Sequence, residues 1–188
     1  MDRRNFLMTG LAAFGLTATG ASAQAALVPP PTIVPLRAPL PPNQIHVFPD
    51  HFRLYHTRPD STAVRYACRV GRAGLYEPGQ FYVGAKKEWP SWRPTPDMVE
   101  REPELYAQYE EDGMPGGPGN PLGARALYLF QPGRGDTFLR IHGTNQPGTI
   151  GRAVSNGCAG LLNDHIMILY PEVPMDTSVV LYPKMIAA

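Results

Sequence analysis

Two residues of this chain have the types and spacing to transfer an acyl group. Cys158 lies in Val-Ser-Asn-Gly-Cys-Ala-Gly (154–160), and His142 lies sixteen positions earlier in Arg-Ile-His-Gly-Thr. A cysteine attacks as its thiolate, and at a free pKa of about 8.5 little of it is ionised near neutral pH. An imidazole within hydrogen-bond reach can take the thiol proton and later hand it to a leaving amine. Gly157 and Gly160 leave the backbone N–H groups around the cysteine open, as an oxyanion site requires. The apolar spacing Leu161, Leu162, Ile166, Leu169 predicts a short helix after the cysteine, whose N-terminus would favour the thiolate. With five histidines in the chain, a Cys–His pair at this spacing arises more often by coincidence than by function, so the alternative is a small residue packed where strand meets helix.

The elements that must position this pair read mostly as strands. His-Phe-Arg-Leu-Tyr-His-Thr (51–57) alternates apolar and polar residues, and Ser61 to Arg72 continues as a second strand after Arg58-Pro59-Asp60, predicting a hairpin. Gly74 to Trp92 predicts a further strand, with Pro-Gly turn chemistry before Gln80 and a break at Trp89-Pro90. Ala126–Phe130, Asp136–Thr144 and Ser178–Pro183 are the remaining strand signals. Pro96 to Asp112 is helical in pattern but interrupted by Pro103, which predicts one or two short helices. The 22 prolines and 19 glycines fit many short strands joined by turns. The expected fold class is a single mostly-β domain over residues 44–188, a sandwich or barrel with one to three short helices.

The ends of the chain read differently. Residues 1–25 carry adjacent Arg3 and Arg4, a moderately apolar run, and then Ala-Ser-Ala and Ala-Gln-Ala, the layout of a twin-arginine-type export signal. Periplasmic localisation follows from that reading. Removing Asp2, Arg3 and Arg4 from 17 basic and 16 acidic residues leaves 15 of each, so charge gives no case for nucleic acid or a membrane surface as partner. Residues 26–43 are proline-rich, have no helical or strand period, and read as an extended tether. In an oxidising compartment, Cys68 and Cys158 would by default be one disulfide. Their settings differ, however: Cys68 stands in an apolar and basic run that reads as strand, and Cys158 in a glycine-flanked turn.

Taken together, Arg-Ile-His-Gly-Thr-Asn-Gln-Pro-Gly-Thr-Ile-Gly-Arg-Ala-Val-Ser-Asn-Gly-Cys (140–158) resembles the catalytic segment of the L,D-transpeptidases, in which His-Gly-Thr precedes Ser-x-Gly-Cys by about this interval. Lys86 to Val99 and Gly116 to Leu129 also resemble that family, notably its alphaproteobacterial members, and the likeness spans residues 44 to 183. The resemblance implies a β-rich periplasmic enzyme acting on peptidoglycan stem peptides. Its cysteine forms a thioester at the third stem residue, D-alanine leaves, and an amine of another stem peptide or of an outer-membrane protein resolves the acyl-enzyme. By position, Cys158 would be the nucleophile and His142 the general base. Ser155, Asn156 and Gly157 would shape the loop, with the Gly157 and Cys158 N–H groups facing the oxyanion. Gly143, Thr144, Asn145, Arg140 and Arg152 are the candidate substrate-binding residues. No cofactor and no metal is implied, and neither Cys-x-x-Cys nor His-Glu-x-x-His occurs.

One departure stands beside the nucleophile. The family carries arginine where this chain has Gly160, after a β-branched residue where it has Ala159. An arginine would present a planar charged fork to a carboxylate or lock the loop, and glycine does neither. Arg125, Arg140 and Arg152 are the candidates to substitute for it. The same departure keeps two alternatives open: a thioester resolved by water, giving an L,D-carboxypeptidase or endopeptidase, and a non-catalytic peptidoglycan-binding module. His46, His51 and His56 read as surface or hydrogen-bonded histidines rather than ligands, and Trp89 and Trp92 as core or lid packing rather than a glycan platform.

Overall fold

A computed structural model describes residues 28–185. The export-signal reading of residues 1–25 lies outside the described residues. In chain order the elements are β1 (Thr32–Pro35), β2 (Ile45–Phe48), β3 (Arg53–Thr57), β4 (Thr62–Ala67), β5 (Val70–Gly71), β6 (Gly79–Glu88), α1 (Pro96–Arg101) and α2 (Pro103–Tyr106). They continue as β7 (Arg125–Gln131), β8 (Gly135–His142), β9 (Ala153–Ser155), β10 (Ala159–Gly160), α3 (Asn163–Glu172) and β11 (Ser178–Leu181). The mostly-β class with short helices is as expected from the sequence.

Nine strands form one mixed sheet in the order β1-β4-β3-β2-β11-β6-β7-β8-β10, and β5 pairs with β9 in a small parallel sheet. The β3–β4 hairpin forms as predicted, its turn held by Asp60, whose carboxylate accepts from the Thr62 N–H and hydroxyl. Within the proline-rich 26–43 segment, Thr32–Pro35 pairs antiparallel with β4, so this part of the presumed tether is an edge strand. Proline suits an edge, where one row of N–H groups has no ladder to serve.

The chain leaving β4 decides the shape of the site. Arg69 and Gly160 exchange both backbone hydrogen bonds, at 2.8 and 3.0 Å, so the continuation of β4 pairs with β10 at the opposite end of the strand order. The large sheet thereby curls back on itself around one core. Ile45, Val47, Leu54, Tyr66, Val83, Leu127, Leu129 and Ile141 fill that core, and α3 closes it with Ile166 and Leu169. Lys86 of β6 secures the end of α3 by donating to the carbonyls of Tyr170 and Val173, at 2.7 and 2.6 Å.

Candidate active site

His142 is the last residue of β8, and Cys158 immediately precedes β10. These two strands run parallel, with Ala159 opposite Ile141 and Gly160 opposite His142, and the Leu161 N–H donates to the His142 carbonyl at 2.8 Å. The sixteen-residue interval therefore closes into adjacent positions at the end of one sheet. Both side chains line a cleft of about 710 Å³, together with Arg69, Trp92, Tyr106, Phe138, Arg140, Asn145, Ser155 and Asn156.

The loop carrying Cys158 is tightly constrained. Gly157 has φ +119°, and a Cβ there would stand 2.9 Å from Leu139 Cδ2 and 3.0 Å from the Leu75 carbonyl. Only glycine fits both the backbone angle and the space. Ser155 Oγ donates to the Cys158 carbonyl at 2.6 Å, which fixes the loop across Cys158. Among the described residues, no turn, cap or side-chain hydrogen bond uses the Gly157 or Cys158 N–H, as an oxyanion site requires. The Gly160 N–H, by contrast, is spent on the Arg69 carbonyl and is not available to an oxyanion. Nor does a helix start at the cysteine. β10 intervenes and α3 begins only at Asn163, so the helix terminus does not bear directly on Sγ.

His142 is buried, and its Nδ1 donates to the Gly143 carbonyl at 2.5 Å, which leaves Nε2 as the basic nitrogen. Its pKa is pushed down to about 3 by burial and by the positive charges of Arg69 and Arg140, while the carbonyls of Gly143 and Leu122 pull the other way. The resting imidazole is therefore neutral, as a base must be. Burial pushes the Cys158 thiol up; the Arg140 N–H and the charges of Arg140 and Arg69 pull it back, and Asp136 opposes them. Sγ contacts the Phe138 carbonyl at 3.9 Å. Phe138 itself sits in a bulge of β8 with φ +61° and 66 % exposure, so the strand turns an aromatic ring out over the cleft. Cys68 is buried and both cysteines are free, so the default disulfide does not form.

The remaining sequence candidates separate. Arg140 lines the cleft but is neutralised by Asp136 in a two-pronged pair at 2.6 and 2.8 Å. Asn145 lines the cleft and donates to the Gly119 carbonyl at 2.7 Å. Gly143 and Thr144 act through backbone: the first accepts from His142, and the Thr144 N–H donates to Asn163 Oδ1 at 3.2 Å. Arg152 is exposed and does not line the cleft, and Arg125 is paired with Glu88 at 3.0 Å. None of the three arginines proposed for the space at position 160 occupies it. Arg69 does: a Cβ on Gly160 would lie 2.5 Å from its Nε and 2.8 Å from its Cγ.

Asn156 is a clasp as well as a loop residue. Its Oδ1 accepts from Arg72 at 3.2 Å and Arg101 at 3.1 Å, and its Nδ2 donates to the Tyr106 hydroxyl at 2.9 Å. Arg72 also grips Glu102 with two hydrogen bonds at 3.0 and 2.7 Å, and this contact holds the Glu102 carboxyl below its ordinary range. The helices α1 and α2 are thus tied down over the nucleophile loop. Trp92 supports them against Tyr106 and Tyr109, which is the lid packing expected of it. His46 and His56 prove buried rather than surface residues; His46 Nδ1 bonds the Tyr182 hydroxyl at 3.2 Å.

Sequence reasoning missed Arg69 and Asn163. Asn163 Oδ1 accepts from both the Ala124 N–H, at 2.9 Å, and the Thr144 N–H, joining β7 and the His142 loop to the start of α3. Asparagine at the first turn of a predicted helix was the available signal for the second.

A family model described as YkuD, L,D-transpeptidase catalytic domain, matches residues 42–181. A probable L,D-transpeptidase ErfK/SrfK of Escherichia coli is 41% identical over 133 residues, covering 68% of this chain and 40% of that protein. A putative L,D-transpeptidase of Fuscovulum blasticum is 41% identical over 107 residues, covering 56% of this chain and 50% of that protein. The chain thus spans half or less of the length of these relatives. Among solved structures, one from Brucella melitensis named as a probable carnitine operon oxidoreductase is 44% identical, with TM-score 0.56 over 82% of this chain and 95% of that one. The avibactam carbamoyl enzyme of Ldtfm is 16% identical, with TM-score 0.56 over 78% of this chain and 51% of that one, a likeness of fold.

Proposed function

Since the chain belongs to the L,D-transpeptidase catalytic-domain family, we propose that it works in the periplasm, exported by residues 1–25, and joins peptidoglycan stem peptides through a thioester on Cys158. The observation that supports this reading is the β8–β10 register, which brings the start of β10, just after Cys158, level with the end of β8 that carries the buried, neutral His142, with both residues lining one cleft. Of the arginines lining that cleft, Arg134 is paired with Glu77 and Arg140 with Asp136, which leaves Arg69, Arg93 and Arg101 against Asp97, a balance suited to a substrate bearing carboxylates.

In the first half-reaction, Cys158 Sγ attacks the carbonyl carbon linking the third stem residue to D-alanine, and the thiol proton passes to His142 Nε2. The oxyanion that forms is received by the Gly157 and Cys158 N–H groups. Collapse breaks the C–N bond, His142 returns the proton to the departing D-alanine nitrogen, and a thioester remains. An amine of a second stem peptide, or of an outer-membrane protein, then attacks the thioester. Its proton passes through His142 to the leaving thiolate, which restores Cys158.

Incubation with a stem tetrapeptide should add the tripeptide acyl mass at Cys158 and release D-alanine, and Cys158→Ala should do neither. Turnover by Cys158→Ala would refute the assignment. Free tripeptide in place of cross-linked product would identify water as the acceptor and the chain as an L,D-carboxypeptidase.

A further inference from the structure

Arg69 is 7% exposed, and a buried guanidinium is costly unless an anion answers it. Among the described residues no carboxylate pairs with it. Its only side-chain hydrogen bond runs to Thr149 Oγ1 at 3.1 Å, and its Nε is buried with no partner. Arg69 nevertheless forms part of the cleft wall with Cys158 and His142, and its charge is felt by Cys158.

The ladder explains how it arrives there. Two residues that exchange both hydrogen bonds of an antiparallel pair project their side chains to the same face. Arg69 stands in that relation to Gly160, and Gly160 is level with His142 in the parallel β10–β8 pair. The Arg69 side chain therefore crosses over the bare Gly160 toward the catalytic pair, through space that any larger residue at 160 would fill. Three charged groups bear on Cys158: Arg140 and Arg69 favour its thiolate, and Asp136 opposes them. Arg140 is held by Asp136 in a two-pronged pair, whereas among the described residues Arg69 has no carboxylate partner.

We infer that Arg69 is the fixed counter-charge of the Cys158 nucleophile, delivered across the β10 ladder over Gly160. This rests on reading Cys158 as the acyl-accepting thiol. An arginine is permanently charged, so the stabilisation of the thiolate does not depend on protonating His142. The same charge acts along the whole proton path: it favours departure from Sγ, opposes arrival on His142, and favours onward transfer from His142 to the leaving nitrogen. Arg69 is thus a positioning residue for charge, and Gly160 is the vacancy that admits it.

The test is the pH profile of Cys158 alkylation by iodoacetamide, with the site of addition mapped by mass spectrometry and folding checked by thermal unfolding. Arg69→Met should raise the midpoint by about one pH unit or more, so that alkylation near neutral pH slows about tenfold. Arg69→Lys should stay near the wild-type midpoint. The double variant Arg69→Ser with Gly160→Arg returns a guanidinium from the other strand, and it should restore the midpoint even if Arg69→Met does not fold. An unchanged midpoint in folded Arg69→Met overturns the inference, as does a raised midpoint in Arg69→Lys or in the folded double variant. A higher KM for tetrapeptide with an unmoved alkylation profile also overturns it and assigns the guanidinium to substrate. Acylation of the wild type by tetrapeptide is scored separately. An Arg69-dependent profile without acylation sinks the transpeptidase reading and leaves this inference standing.

Discussion

Replacing Asn163 by alanine should damage both stability and catalysis, although Asn163 touches neither Cys158 nor the lid. Its Oδ1 is the acceptor for two backbone donors, the N–H groups of buried Ala124 and Thr144. Truncation strands both, and a buried donor left unpaired costs about 1–3 kcal/mol. Asn163 is itself half-buried, so water regains part of the loss, and a total of about 2–4 kcal/mol is expected. For a domain of this size that corresponds to a fall in Tm of roughly 5–15 °C. The His142 loop loses its tie to α3 at the same time, so the rate of Cys158 acylation measured well below Tm should also fall. Asn163→Asp keeps an acceptor oxygen at the same place and puts negative charge in the first turn of α3, where it is favoured. It should therefore retain most of the stability and activity. Thermal unfolding and single-turnover acylation of the three proteins decide the matter. The reasoning fails if Asn163→Ala lies within about 0.5 kcal/mol of wild type, or if Asn163→Asp is as damaged as Asn163→Ala.

Three further outcomes follow from the site. Burial pushes the Cys68 thiol up to about 12, so native protein should take up one alkyl group, at Cys158, and unfolded protein two; native labelling of Cys68 contradicts its placement. Gly160→Ala forces a Cβ into the Arg69 side chain and should destabilise by about 1–3 kcal/mol, a loss relieved when Arg69 is shortened to serine, as urea titration of single and double variants would show. His142 has its pKa lowered from 6.5 to about 3, so below pH 6.5 the unfolded chain binds a proton that the folded chain refuses. Stability present above that pH should drain as pH falls toward 3, at up to about 1.4 kcal/mol per pH unit. His142→Asn removes this contribution, so its urea stability should fall less steeply than wild type on acidification, and equal slopes would contradict the burial of a neutral imidazole.

The strands and the candidate pair were readable because their signals are local. Alternation in His51–Thr57 and the Asp60 turn specify a hairpin whatever else surrounds it, and Pro103 splits α1 from α2 by removing a donor. Cys158 and His142 were suggested by residue chemistry and singled out by the resemblance of residues 140–158 to the L,D-transpeptidase segment, not by spacing alone. Local reasoning failed where an apolar pattern was ambiguous. Leu161 and Leu162 fit the period of a helix, but Ala159 and Gly160 before them pair with β8, so the helix starts later and its terminus does not serve the thiolate.

What the chain determined by itself is the Cys158–His142 pairing as a candidate, the glycine at 157 and the β-rich class, because each follows from residue type and near neighbours. The tertiary structure decided which arginine stands beside the cysteine. Arg125, Arg140 and Arg152 are nearer in sequence, yet each is paired or turned away, whereas Arg69 lies 91 positions before Gly160. Only the curling of the sheet, which lays the end of β4 against β10, makes those two residues partners. Such a pairing is set by closure of the whole core, and no short stretch around either residue encodes it.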